Sequence, residues 1–437
     1  MLWRSIRSVT ASHLAYPVVE RLAGREVRAK LTELSAARAL PGAERRRRAS
    51  LALAEMVAWA GTAVPYYRDL FARLRFDPKK LQHDTAYLDV LPYLSKDIIR
   101  AEGTRLLRED HAELVTHRSR TGGSTGPSIE ICYDQAGVDW SSAVTRHARS
   151  SIGKSHALTE LHLASRFPEL FPLKDRLKEA AKCFVMNRSN AFIADFEPSR
   201  LDLLWHQISQ LRPYLVHGHP STLYHLARHM AARGGGAGAF TVFESSGELL
   251  QAHQRETIAR VFECRVVDRY GLAEFGVVAY QMDDYSDALS VYDELVWPET
   301  TNESEIVLTG LTNRMMPLIR YRTGDLATLT HHEEGYMLSN LVGRVHDLVS
   351  IDGKTYATHY IQDLLQRVGG IAEFQILPCQ RPILRLVLEP DRDPEGIRTR
   401  LASWWGAAVQ VEFIPPTALE LTGERGKFRH VLSGDRP

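Results

Sequence analysis

Cysteine is scarce in this chain of 437 residues. The four present, Cys132, Cys183, Cys264 and Cys379, form no C-x-x-C pair. Neither a zinc knuckle nor a redox dithiol is indicated, and a reducing cytoplasm is the expected compartment. An excess of one charge is also missing, since 54 Lys and Arg stand against 53 Asp and Glu. Nucleic-acid binders carry a basic excess, so the expected partner is a small molecule rather than nucleic acid. No long apolar run opens the chain: Arg4, Arg7, His13, Glu20 and Arg21 interrupt the first 22 residues, which excludes a signal core or a membrane span there. The sequence also shows no self-similar repeat and no segment like a carrier domain with a pantetheine-bearing serine.

What is present is an ordinary globular composition, 44% apolar and 24% charged, with room for one large core and a smaller domain. Residues 1–62 alternate apolar and basic positions at helical spacing and read as two helices broken near Pro41-Gly42, an N-terminal extension packed on the main body. Within it Arg45–Arg48 follow Glu44 and read as a solvated helix face; weak peripheral contact with anionic lipid, assisted by Trp3, is the competing reading. Val64-Pro65-Tyr66-Tyr67 and Leu91-Pro92-Tyr93 punctuate a region of short elements.

From Ser128 to Met282, strand candidates at Ile129–Tyr133, Leu161–Ser165, Tyr214–His217, Thr241–Ser245 and Arg265–Asp268 alternate with helical stretches. This predicts an α/β fold with a mainly parallel sheet. Short strands dominate residues 288–341 and predict a β-rich subdomain. After Gly343-Arg344-Val345-His346-Asp347 a small α+β pattern follows, with helices at 359–368 and 395–405 and strands between and after them. The expected division is therefore 1–62, 63–342 and 343–437, with a hinge near Arg344–Leu348.

Five short segments, in order, carry the chemistry. Thr121-Gly122-Gly123-Ser124-Thr125-Gly126 combines glycines with hydroxyls, so backbone N–H and O–H donors can close on a triphosphate. It is no Walker loop, because Pro127 and Ser128 follow instead of Lys and Ser/Thr. Ser246-Gly247-Glu248 follows a strand candidate at the carboxyl edge of the parallel layer, where ligands collect; helix capping by Ser245 or Ser246 is the bland alternative. Tyr270-Gly271-Leu272-Ala273-Glu274 sets a ring that can stack on a base four residues before a carboxylate suited to Mg²⁺. Asp325, after Tyr321-Arg322-Thr323-Gly324, can accept from a ribose diol unless it pairs with Arg320 or Arg322. Gly426-Lys427 closes the series. His217 and His219 at a strand end, with Phe275, are guesses for the walls of an acyl pocket. His225 and His229, four apart on a helix, lack the further ligands that a metal site needs.

This set, together with Gly343-Arg344, resembles the adenylate-forming superfamily of acyl-CoA synthetases, adenylation domains and luciferases. His217-Gly218-His219-Pro220-Ser221, Met316–Arg322 and Val64–Tyr67 are most similar to its phenylacetate–CoA ligase-like branch, which includes capsule-polysaccharide biosynthesis proteins. The resemblance runs colinearly over about residues 60–431 and implies a large N-terminal domain with a small mobile C-terminal one.

It further implies that Thr121–Gly126 hold phosphates, Ser246–Glu248 lie beside adenine, Tyr270 with Gly271 stacks on it, Glu274 holds Mg²⁺ and Asp325 grips the ribose. Arg344 matches the hinge-adjacent arginine, Lys427 the lysine of adenylation, and His346 with Asp347 the hinge. The implied reaction joins a carboxylate with Mg·ATP to give acyl-adenylate and pyrophosphate, followed by transfer to CoA. An amine or hydroxyl acceptor, and a nucleotide-binding scaffold of weak activity, are the alternatives. Relatives usually carry Gly-Lys-Pro where this loop has Gly126-Pro127, and an acidic residue where this chain has His346. A histidine there would make domain rotation respond to pH near neutrality.

Overall fold

Helices fill the first seventy residues, and local chemistry decides where they break. The computed structural model describes residues 7–120, 129–164, 173–192, 196–283, 286–333, 335–344, 348–357, 361, 364–365, 368–422 and 427–432. A π-helical turn at Thr10–Ala15 runs into α1 (Tyr16–Leu22), followed by α2 (Val27–Arg38), α3 (Gly42–Ala63) and α4 (Pro65–Leu74). Pro41 caps α3, as the sequence predicts. The two-helix expectation misses a second break at Gly24, whose φ of +61° lies in the left-handed region that glycine enters without strain. Pro65, expected merely as punctuation, opens α4, where its missing N–H forfeits no helical bond.

The extension is fastened by charge. Arg25 Nε and the Glu26 N–H both donate to the Asp139 carboxylate at 2.7 Å, and Arg38 donates to the Val291 carbonyl at 2.9 Å. Arg45 corrects the solvated-face expectation. It begins the buried stripe continued by Ala49, Leu53, Met56 and Ala60, and it donates to Asp293 Oδ1 at 3.0 Å. Arg46 reaches the His332 carbonyl, and the exposed Arg47 and Arg48 both pair with Glu44.

A short helix, α5 (Lys96–Glu102), capped by Ser95, precedes β1 (His117–Arg120), which pairs with β2 (Glu130–Tyr133) on either side of residues 121–128. The strand at Ile129–Tyr133, expected in the parallel layer, therefore lies outside it. Asp134 caps α6 (Gln135–Ser151). The alternation then runs β3 (Glu160–Ala164), α7 (Leu173–Val185), β4 (Arg188–Phe192), α8 (Pro198–Leu211), β5 (Leu215–Gly218), α9 (Pro220–Ala231), β6 (Val242–Ser245), α10 (Ala252–Phe262) and β7 (Arg265–Leu272). These strands pair in parallel in the order β4-β3-β5-β6-β7, because each helical crossover returns the chain in the same direction.

The hairpin to β8 (Gly276–Tyr280) reverses the direction, and the same sheet continues antiparallel through β9 (Leu289–Val291), β13 (Gly335–Arg344), β12 (Tyr321–His332), β11 (Glu305–Gly310) and β10 (Val296–Thr300). The β-rich stretch is thus the other half of one sheet, eleven strands among the described residues.

Toward the C-terminus β14 (Leu348–Ile351) pairs with β15 (Lys354–Ala357). A sheet follows of β16 (Ile371–Leu377), β17 (Ile383–Leu388) and β18 (Gln410–Phe413), the last two parallel across α11 (Pro394–Trp405). Finally β19 (Leu421–Thr422) pairs with β20 (Lys427–Phe428). One apolar cluster joins the N-terminal helices and α6 to the antiparallel half of the large sheet, and another fills the space under α11. A third joins α8–α10 and the parallel strands to Ala372, Val387, Leu419 and Phe428, so the C-terminal elements share a core with the parallel layer.

That shared core also contains Glu373, on β16. Its Oε1 accepts from the Phe374 N–H at 3.1 Å, yet burial pushes its carboxyl up to about 8. An unfolded glutamate titrates near ~4.3. Across the interval between the two values the folded protein keeps a proton that the unfolded chain has lost, so stability falls as pH rises through it. Glu373→Gln is expected to melt close to wild type near pH 5 and progressively above it toward pH 8. A melting-temperature difference that stays constant over that range would refute the assignment.

Candidate active site

The parallel strands end on one edge, and two of the segments expected at the nucleotide, Ser246–Glu248 and Tyr270–Glu274, lie at it. After β6 the Ser246 N–H donates to the Gly218 carbonyl at 3.0 Å, and Gly247 turns the chain with φ of +86°. The helix begins only at Ala252, with Gln251 as its N-cap, so Ser245 and Ser246 are not capping residues. Glu248 does not stand open to a base: Oε2 accepts from the Ser221 N–H at 3.3 Å and Oε1 from the Phe428 N–H at 2.9 Å.

The β7–β8 hairpin carries the next segment. Gly271 is required there, since a Cβ would sit 2.9 Å from the Gly276 carbonyl oxygen. Tyr133 O–H donates to the Ala273 carbonyl at the turn. Glu274 is buried, with Oε1 accepting from Tyr321 O–H at 2.6 Å. Tyr270 O–H in turn donates to Asp325 Oδ2 at 2.8 Å.

In a flat sheet β7 and β12 would stand four strand spacings apart, about 19 Å. Side-chain contacts under 3 Å to β12 from Tyr270 of β7 and from Glu274 in the hairpin that follows it require the sheet to coil back on itself. The coiling brings the expected metal carboxylate, base-stacking tyrosine and ribose aspartate to one place.

Asp325 is not spent on its neighbouring arginines. Arg320 pairs with Asp89 and Glu299 at 2.7 and 2.9 Å, and Arg322 Nε donates to Glu305 at 2.7 Å. In β-register Asp325 faces Arg344, which places the hinge-adjacent arginine beside it along the backbone. The side chains of Arg344 and Lys427, and all of Thr121–Gly126, His346 and Asp347, lie outside the described residues.

No family model matches the chain. Protein CapK of Staphylococcus aureus is 21% identical over 354 residues, 77% of each chain. A phenylacetate-coenzyme A ligase of Thermus thermophilus is 22% identical over 429 residues, covering 87% of this chain and 94% of that one. Among solved structures, 2-hydroxyisobutyryl-CoA ligase in the postadenylation state with 2-HIB-AMP gives a TM-score of 0.70 at 18% identity over 91% of both chains. The chain has the fold of that ligase, and its sequence is similar to proteins named CapK and phenylacetate-coenzyme A ligase.

Glu274 has the chemistry of an Mg²⁺ ligand. The ion takes one or two protein carboxylates and completes its shell with phosphate oxygens and water. Tyr321 occupies Oε1, while Oε2 accepts no hydrogen bond among the described residues. Tyr321, wholly buried, was not singled out from sequence as a site residue; its place in the Tyr321–Asp325 segment was the available signal.

The three residues guessed for the acyl pocket make different contacts. Phe275 packs on Tyr321 with ring centroids 5.9 Å apart and borders a cavity of about 20 Å³ with Glu274, Met316 and Leu318. His219 is the N-cap of α9. His217 belongs to a buried charge network on the α6 side of the sheet, its Nδ1 2.7 Å from Glu244 Oε2.

In strand register His162, His217 and Glu244 form a row across β3, β5 and β6. Glu244 also accepts from Arg149 Nη2 at 2.8 Å and Tyr280 O–H at 2.9 Å. Burial lowers the pKa of both histidines, that of His162 to about 3, so both rings are neutral at pH 7. Burial raises and Arg149 lowers the Glu244 pKa, and the cations win, holding it well below the usual range. The other histidines are likewise absorbed by packing: His225 stacks on Phe196, and His229 lies 2.7 Å from Asp202.

Proposed function

We propose that this chain activates a carboxylic acid with Mg·ATP to an acyl-adenylate, releases pyrophosphate, and passes the acyl group to CoA. The convergence of Glu274 with Tyr321 and of Asp325 with Tyr270 carries this reading. The relatives named phenylacetate-coenzyme A ligase, and the likeness to a CoA ligase structure holding an acyl-adenylate, support it.

Attack of a carboxylate on the α-phosphate brings two anions together, so positioning and charge neutralisation do most of the work. In this reading Tyr270 and Gly271 cover the adenine face, with Ser246 and Gly247 beside it. Asp325 accepts from the ribose hydroxyls and is aimed by the Tyr270 hydroxyl. Thr121–Gly126 hold the triphosphate, and Lys427 meets the charge that develops at the α-phosphate. Glu274, held by Tyr321, would be the protein ligand of Mg²⁺, which when bound offsets phosphate charge. Residues 63–342 act as the large domain and 343–437 as the mobile one, turning near His346 and Asp347 between the half-reactions. Residues 1–62 form an extension fixed to the large domain, and the compartment is cytoplasmic.

The deciding experiment is pyrophosphate release with Mg·ATP over aromatic, aliphatic, hydroxy and amino acids, each with and without CoA. Acid-dependent release with formation of an acyl-CoA is expected. Acid-dependent release without a CoA product would move the acceptor to an amine or hydroxyl. No release with any acid would overturn the activation reading in favour of a nucleotide-binding scaffold.

A further inference from the structure

Glu248 joins two elements remote in sequence. Its Oε2 accepts from the Ser221 N–H in the first turn of α9, where the helix dipole favours a carboxylate, and its Oε1 accepts from the Phe428 N–H in β20. Phe428 follows Lys427 directly, and its ring is buried in the core shared with α8–α10.

Two residues beyond Phe428 a second contact is made from the same segment of the large sheet's edge. Gln251 Nε2 lies 2.8 Å from His430 Nε2, while His430 Nδ1 lies 3.1 Å from the Phe374 carbonyl. These partners fix one neutral tautomer: Nδ1–H donates to the carbonyl, and Nε2 accepts from the amide. His430 also continues the β16 edge, since Ile376 N–H donates to its carbonyl and Leu432 N–H donates to that of Ile376. Residues 427–432 are thus held on one side by β16 and on the other by Glu248 and Gln251.

We propose that Glu248 is a positioning residue, a clasp that registers Lys427 over the nucleotide for adenylation and releases it when the C-terminal domain turns. This rests on the reading that Lys427 serves the adenylation step, and it replaces the adenine-side role expected from sequence for Glu248. A carboxylate fits the task because it accepts through both oxygens and so holds two N–H groups at once. A glutamine offers one acceptor oxygen and keeps at most one of the two bonds.

The two half-reactions and the clasp itself are measured separately on the full chain. Phenylacetate and 2-hydroxyisobutyrate serve as probe acids for pyrophosphate release. Their synthetic adenylates, supplied with CoA, report the second step. Peptide-level hydrogen exchange over residues 427–432 reports the clasp without substrate. Glu248→Ala is expected to slow adenylation about 10- to 100-fold, the scale of a lost hydrogen bond to a charged group. It should leave the KM for ATP and the second half-reaction near wild type and speed exchange over 427–432, with Glu248→Gln between. Equal losses in both half-reactions with a raised KM for ATP would place Glu248 at the nucleotide and overturn the proposal. Unchanged exchange would overturn it too. If wild type releases no pyrophosphate with any acid of the panel while exchange still responds to Glu248→Ala, the activation reading fails and the contact of Glu248 with residues 427–432 stands without it.

Discussion

Replacing Lys427 with alanine is expected to slow acyl-adenylate formation by ~10²- to 10³-fold, the usual loss when one preorganised charge contact to a transition state is removed. Folding should be untouched. Its backbone stands in register with Thr422 and leads into the Phe428 N–H on Glu248, and alanine preserves both. Substrate binding should change little, because the lysine is asked to meet charge that develops only as the α-phosphate is attacked. The signature is therefore a fall in kcat for pyrophosphate release with little change in the KM for ATP. Thioester formation from a supplied acyl-adenylate should proceed at the wild-type rate, because that step carries no pentacovalent phosphorus. Adenylation at wild-type speed would show that Lys427 has no part in it. A loss shared equally by both half-reactions would point instead to a damaged C-terminal domain.

Much of this architecture is legible in the sequence because it is local. Strand and helix candidates from Leu161 to Asp268 alternate at spacings that only a crossover sheet satisfies, and β3, β5, β6 and β7 appear where the pattern puts them. β4 is missed, since its Arg188-Ser189-Asn190 start carries no apolar signal. The site is legible as an ordered set of segments, Tyr270–Glu274 and Tyr321–Asp325 above all. How they meet is not, because the contacts of Tyr321 with Glu274 and Tyr270 with Asp325 arise from the coiling of an eleven-stranded sheet.

Glu248 shows a different limit. Its position after a strand suggests a ligand contact, whereas its two partners come from residues 27 positions before it and 180 after it. Arg45 shows a third: a run of four arginines reads as a surface, but the i, i+4 stripe that includes Ala49 and Leu53 turns one of them inward to Asp293.

Glu244→Ala is expected to cost about 3–5 kcal/mol of stability, the scale for removing one partner of a buried ion pair. The sequence Val242-Phe243-Glu244-Ser245 reads as a buried strand interrupted by one carboxylate, and all four residues are buried. What makes that tolerable is the convergence of donors from four other elements: Arg149 of α6, His217 of β5, Arg269 of β7 and Tyr280 of β8. Arg149 in turn donates to Glu160 of β3 at 3.0 Å, where Lys154 also pairs at 3.2 Å.

The buried Arg149 and Lys154 and the part-buried Arg269, against two carboxylates, already leave positive charge in excess. Deleting Glu244 leaves Arg149, Lys154 and Arg269 with Glu160 as their one carboxylate in this network, and desolvation then outweighs any gain from the smaller side chain. Replacing both members of the main pair, Arg149→Met with Glu244→Leu, should recover part of the loss, because an apolar pair of similar volume needs no solvation. The coupling from such a double-mutant cycle separates a real ion pair from mere packing.

The folded carboxyl titrates well below its ordinary value, so the stability it supplies is present above the unfolded pKa and is lost only as pH falls through the depressed folded one. Wild type and Glu244→Ala should therefore differ fully at pH 7 and converge in strong acid. The network ties α6 to the strands whose ends release Ser246–Glu248 and Tyr270–Glu274. The same variant should consequently weaken ATP binding at temperatures where it is still folded. Undiminished binding and a stability loss below 1 kcal/mol would show that the parallel layer holds its edge without the charges.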